Sequence, residues 1–166
     1  MSKTLSPAGG WLWLAVAALV ILFDQASKQF ASQVLVYGQP VEVLPVLNWT
    51  LLHNPGAAFS FLSNAGGWQR WFFAAIALVV SGVIVAWIFR SEPREYLQKL
   101  ALALILGGAL GNLWDRLVLG YVVDFIQVHY SHSHYFPAFN IADSAISVGA
   151  VLMIYKTLFP GRASHD

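Results

Sequence analysis

The 166-residue chain contains no cysteine, which excludes disulfides, thiolate metal sites and cysteine nucleophiles outright. Charge is scarce as well. Only 10% of the residues are Asp, Glu, Lys or Arg, and nine basic against eight acidic groups leave a formal net charge of +1. Nothing in that balance suggests a nucleic-acid partner. Internal repeats, low-complexity tracts and long linkers are missing too, so a single domain over 1–166 is expected.

What the chain has in quantity is apolar surface. It is 58% hydrophobic with a mean hydropathy of +0.63, a composition that belongs in a bilayer. Trp71–Phe89 runs 19 residues without a charge, enough for a spanning helix. Leu100–Trp114, Trp11–Phe23 and Ser144–Tyr155 are shorter uncharged runs that reach spanning length with their flanks. The expected fold is an all-α membrane protein, a four-helix transmembrane bundle with spans near 11–31, 69–90, 98–119 and 139–158. Outer segments 32–68 and 120–138 remain. The first mixes β-branched and aromatic residues over Val41–Thr50 and predicts a small β-rich subdomain on the outer face. The second predicts a short loop or helix able to close over a site.

Lys3 followed by an apolar stretch resembles a signal peptide, but Asp24 and Lys28 follow directly and no small-residue cleavage site is present. The stretch is expected to be retained as the first helix. Lys3, Arg90, Arg94, Lys99, Lys156 and Arg162 fall on one side of the spans, and Lys28, Arg70 and Arg116 toward the other. That bias predicts cytoplasmic termini.

Carboxylates near a bilayer are expensive and mark ion paths or catalysis. Asp124, in Tyr121-Val-Val-Asp-Phe-Ile126, and Asp143, in Phe139-Asn-Ile-Ala-Asp-Ser-Ala145, both lie at outer ends of apolar segments. Two carboxylates at one depth suit a dyad that shares a proton and activates water. Equally, each aspartate separately caps a helix or pairs with a base. By helical rise Asp24 sits roughly 20 Å above the start of the first span. Lys28, Asp115 and Arg116 reach the same outer third, which favours a site open to one face over a relay through the membrane.

Asn140 either orients a carboxylate or caps the fourth helix. Ala142 and Ser144 leave room for a peptide, as small residues also do for helix packing. Gly107, Gly108 and Gly111 form a smooth face for close contact. Asn112 and Arg116 are four apart on one helix face, where Arg116 serves substrate and dyad or pairs with Asp24 or Asp115. Asp24 and Lys28 form an i, i+4 pair, read as structural or facing the headgroups. Asn54-Pro-Gly-Ala-Ala-Phe-Ser60 is a turn whose backbone can cradle an extended peptide. His129, His132 and His134 fall in a segment expected to be a mobile polar loop, with no helix-borne metal motif, so no metal is expected. A proton-coupled transporter or membrane binding module is the other class of function, but paired broken helices and polar groups in the inner half are lacking.

Over roughly 11–158 the chain resembles the lipoprotein signal peptidases (signal peptidase II), bacterial membrane aspartyl peptidases. The resemblance rests on Asp24-Gln-Ala-Ser-Lys28, Asn54-Pro-Gly-Ala-Ala-Phe59, Gly107–Arg116, Val123-Asp-Phe125 and Phe139–Ala145 in order on four spans. It implies Asp124 and Asp143 as the catalytic pair, and Asn54, Gly56, Gly108, Asn112, Arg116, Asn140 and Ala142 as substrate-binding residues. It implies no cofactor. The substrate would be a prolipoprotein carrying diacylglyceryl-cysteine, cut just before that cysteine, with membrane lipids as surroundings and the cyclic peptide globomycin as inhibitor. A monomer in the bacterial inner membrane, with its site toward the periplasm, is the corresponding expectation.

Overall fold

The computed structural model describes residues 7–56, 67–131 and 134–159. Four helices carry most of the chain: α1 (Pro7–Val34), α2 (Trp68–Arg90), α3 (Tyr96–Val118) and α4 (Ile141–Leu158). All four are long and apolar enough to cross a membrane. Even α4, the shortest at 18 residues, spans about 27 Å, close to the hydrocarbon thickness of a bilayer. Their outer faces expose large apolar side chains such as Leu22, Phe23, Val79, Val83, Val151 and Ile154. In water such a surface would drive aggregation; against acyl chains it is matched.

The core gathers on α3. That helix buries residues along its whole length, whereas α4 buries only Ala142 and Gly149. Ala17, Ile84, Ile88, Leu102 and Leu106 join three helices in one apolar cluster. Glycines set the spacing. A Cβ on Gly107 would come within 2.6 Å of Val20 Cβ on α1, and one on Gly108 within 2.3 Å of the Ala142 carbonyl oxygen on α4. Small residues here let backbones approach where side-chain hydrophobicity provides no drive in lipid. At the end of the bundle away from the sheet, Lys156 Nζ pairs with Glu95 Oε1 at 2.7 Å and ties α4 to the α2–α3 turn.

At the other end sits a four-stranded antiparallel sheet in the order β1 (Val41–Leu44), β2 (Leu47–Asn54), β3 (Val122–Ser131), β4 (His134–Tyr135). Pro40 and Pro45 flank the edge strand β1, where a missing N–H does no harm. The subdomain is larger than the sequence reading allowed. Segment 120–138, expected as a loop or short helix, supplies a ten-residue inner strand in β3. The reason is pairing partners: β2 recruits Val122–Val128 into register, with Leu52 opposite Asp124 and Asn54 opposite Val122. His129 and His134 therefore stand on strands rather than in a mobile loop. His132, and the 57–60 part of the expected peptide cradle, lie outside the described residues.

Two features fasten the sheet to the bundle. Ala31, Leu35, Leu51, Val123 and Phe125 form a second apolar cluster beneath it. Phe139, just before α4, also joins β3: its N–H donates to the Ile126 carbonyl and its carbonyl accepts from Phe125 and Ile126, all at 2.9–3.1 Å. That clamp holds the entrance of α4 against the strand bearing Asp124.

Candidate active site

Asp124 is the third residue of β3, and Asp143 lies in the first turn of α4. Asn140 stands between them. It is the N-cap of α4: its Oδ1 accepts the Asp143 N–H at 2.9 Å, and its own N–H donates to Asp143 Oδ2 at 3.3 Å, closing a capping box. The same side chain donates from Nδ2 to Asp124 Oδ1 at 2.7 Å. Capping the helix and orienting a carboxylate were alternatives in the sequence; one asparagine does both. It is wholly buried.

The remaining oxygens are also fixed. Asn54 Nδ2 donates to Asp124 Oδ2 at 3.2 Å, and Asn112 Nδ2 donates to Asp143 Oδ1 at 2.8 Å. Asp124 is 3% exposed. Burial pushes its carboxyl up to about 7, and the neighbouring Asp143 charge adds to the rise, against the hydrogen bonds from Asn54 and Asn140.

A cavity of about 580 Å³ opens beside the pair. Its polar end is lined by Asn54, Asn112, Arg116 and Asp143, and its apolar end by Phe139, Ile146 and Val148. A second cavity of about 480 Å³, lined by Asn54, Asp124 and Gln127, shares Phe136–Ala138 as a wall with the first. The two carboxylates thus face space on either side of the strap before α4.

Arg116 is a partial surprise. Its guanidinium lies 5.4 Å from the Phe73 ring and donates to the carbonyls of Asn112 (3.2 Å) and Gly56 (3.1 Å), and its buried Nε has no partner among the described residues. Ion pairing with Asp24 or Asp115 does not occur, because those carboxylates are already held by Lys28 and Gln25. Gly56 is buried, its N–H donating to Asn54 Oδ1 at 3.0 Å. Gly108 and Ala142, expected to contact substrate, line neither cavity; they pack α3 on α4 beneath the pair. His129 is buried on β3, its ring 5.4 Å from Tyr135 and both ring nitrogens without a partner among the described residues.

Below the aspartates lies a polar layer. The i, i+4 pair of Asp24 and Lys28 forms at 2.8 Å and is the structural one of its two readings; Lys28, 3% exposed, also pairs with Asp115 at 2.9 Å, a partner the sequence reading did not assign to it. The matched depths of these three residues were the available signal; burial of all three could not be read from spacing.

The family profile described as Signal peptidase (SPase) II matches residues 16–159. This chain belongs to the signal peptidase II family. A lipoprotein signal peptidase of Acinetobacter baumannii is 58% identical over 148 residues, covering 89% of this chain and 84% of that protein. One from Pseudomonas putida is 53% identical over 168 residues, covering 97% and 96%. A solved structure described as "Bacterial membrane enzyme structure by the in meso method at 2.3 A resolution" superposes with a TM-score of 0.81 at 31% identity, over 100% of this chain and 98% of that one. Membership of signal peptidase II makes this a multi-pass membrane peptidase. The transporter reading finds no support among these relatives.

Proposed function

We propose that Asp124 and Asp143 are the catalytic pair of an aspartic endopeptidase that removes signal peptides from diacylglyceryl-modified prolipoproteins, cutting just before the lipidated cysteine. The observation that carries this reading is the Asn140 bridge: one buried residue joins two carboxylates beside an open cavity, Asp124 through its side-chain amide and Asp143 through its backbone N–H. The pair holds one proton, seated on Asp124, the more buried and proton-retentive member. Asp143, facing the larger cavity, removes a proton from water as the water oxygen attacks the scissile carbonyl carbon. Protonated Asp124 polarises the carbonyl oxygen and passes it a proton. On collapse the carbon–nitrogen bond breaks, the proton on Asp143 goes to the departing cysteine amine, and one hydroxyl of the tetrahedral intermediate returns its proton to Asp124 as the product carbonyl forms.

The larger cavity supports the substrate class. Its polar end offers Asn54, Asn112 and Arg116 to peptide backbone, and its apolar end opens toward the membrane face of α4, where acyl chains and a signal-peptide helix remain in lipid. Gly56 contributes by holding the Asn54 turn against Arg116, and Gly108 and Ala142 by letting α4 seat closely. The same reading places the protein as a monomer in a bacterial inner membrane, termini in the cytoplasm and site toward the periplasm, with globomycin as competitor.

Cleavage of a purified diacylglyceryl prolipoprotein, beside Asp124→Asn and Asp143→Asn, is the test. Each variant is expected to stay folded and lose at least about a thousandfold in kcat. Substantial turnover by either one removes that aspartate from the mechanism.

A further inference from the structure

The geometry points to Lys28 as a positioning residue for both aspartates, fixing each through the backbone N–H of the residue before it. This inference rests on the proposed catalytic pair. An ammonium has three donors and no acceptor. Those of Lys28 have three acceptors within reach: Asp24 Oδ2 at 2.8 Å, Asp115 Oδ2 at 2.9 Å and Asn112 Oδ1 at 2.9 Å.

Each acceptor leads to the pair. Asp24 Oδ1 accepts the N–H of Ala142, the residue immediately before Asp143, at 2.9 Å. Asp115 Oδ2 accepts the N–H of Val123, the residue immediately before Asp124, at 3.1 Å. Asn112 has only one way to satisfy a donor-only neighbour. Its oxygen must face Lys28, and its amide nitrogen then faces Asp143, to which it donates at 2.8 Å. Reversed, that amide would set its oxygen against the carboxylate. One cation therefore fixes the α4 turn, the start of β3 and an amide orientation.

Charge neutralisation alone does not account for this arrangement. One lysine cannot cancel two carboxylates, and the balance falls to Gln25, whose Nε2 donates to Asp24 Oδ2 at 3.1 Å and Asp115 Oδ1 at 2.9 Å. A buried ionic cluster is weak evidence for stability, since apolar residues of similar volume often serve as well. What it supplies here is direction: Asp24, Asp115 and Asn112 each carry a bond onward, to the N–H of Ala142, to the N–H of Val123 and to the Asp143 carboxylate.

The full-length protein in detergent, with a diacylglyceryl prolipoprotein as substrate, tests this. Lys28→Met is expected to lower kcat at least about thirtyfold while KM stays within about twofold, because the cavity lining is untouched. Because Lys28→Met strands two buried carboxylates, a second variant carries Asp24→Asn, Lys28→Met and Asp115→Asn together. It leaves no charge unpaired and still offers an oxygen to each peptide N–H. That triple variant is expected to melt near the wild type yet keep a kcat deficit of at least about tenfold, because the Asn112 oxygen keeps only its longer bond from Asn140 Nδ2 at 3.2 Å and loses the ammonium that fixes it. A kcat within twofold of wild type in the triple variant overturns the proposal, since lysine then served only to neutralise. Failure of the triple variant to fold also overturns it, in favour of a purely structural role. An inactive wild-type protein instead overturns the reading of the function, and this inference with it.

Discussion

Asp124 is costly to keep. Its carboxyl ionises at 3.8 in the unfolded chain and at about 7 in the folded one. Below pH 4 both states hold the proton and the cost vanishes. As pH rises from about 4 to 7 the unfolded state ionises first, so folding loses stability; above 7 the folded state carries a buried charge. Three units correspond to about 4 kcal/mol, less about 1 for the amide that must turn a donor toward Asn54 or Asn140. Asp124→Asn is therefore expected to be inactive yet more stable than wild type at pH 8, by on the order of 1–3 kcal/mol. The gain should disappear near pH 4. Thermal melting of both proteins across that range is the measurement, and equal melting temperatures at pH 8 would show that no such cost is borne.

Helices and strands set the aspartates to within a bond length, and glycines decide how closely the helices lie. Gly108 meets the Ala142 carbonyl across the α3–α4 contact, one residue before Asp143, with backbone rather than a flexible side chain in the way. Gly108→Ala must push the first turn of α4 outward and, with it, the Asn112–Asp143 hydrogen bond. Overpacking of a tight core costs about 1–3 kcal/mol, and a misplacement near 1 Å costs about a hundredfold in rate. The expected outcome is a modest fall in melting temperature beside a much larger fall in kcat. Unchanged kcat would mean that α4 can slide without disturbing the pair. Gly82, with open space around it, is the matched control.

At the scale of the molecule, the sheet and the charged layer occupy one end of the bundle, and the opposite end carries the Lys156–Glu95 clasp. A one-sided site demands a defined orientation, and the basic-residue bias predicts that the sheet is outside. Single cysteines in a chain that has none of its own test it. Gln39→Cys, exposed beside the sheet, should react with a thiol reagent that cannot cross the membrane. Glu92→Cys, exposed in the α2–α3 turn, should react only after permeabilisation. The reverse pattern would turn the site toward the wrong compartment.

Spacing and composition alone were enough for the four helices, since uncharged runs near twenty residues have few other stable solutions. They were enough, too, to single out Asp124 and Asp143, because a carboxylate in an apolar segment needs a reason to be there. The strand character of 122–131 was not legible: a strand depends on its partner, and β2 lies some seventy residues away in the chain. Nor could spacing separate the two readings of Asn140, or show that Lys28, Asp24 and Asp115 close on one another and not on Arg116. Those contacts join α1, α3, β3 and α4 across as many as 118 residues. Local sequence sets periodicity and burial preference, but which donor meets which acceptor is decided when the helices pack and water is excluded. A buried polar group must then find a partner or bear the full cost of going without one.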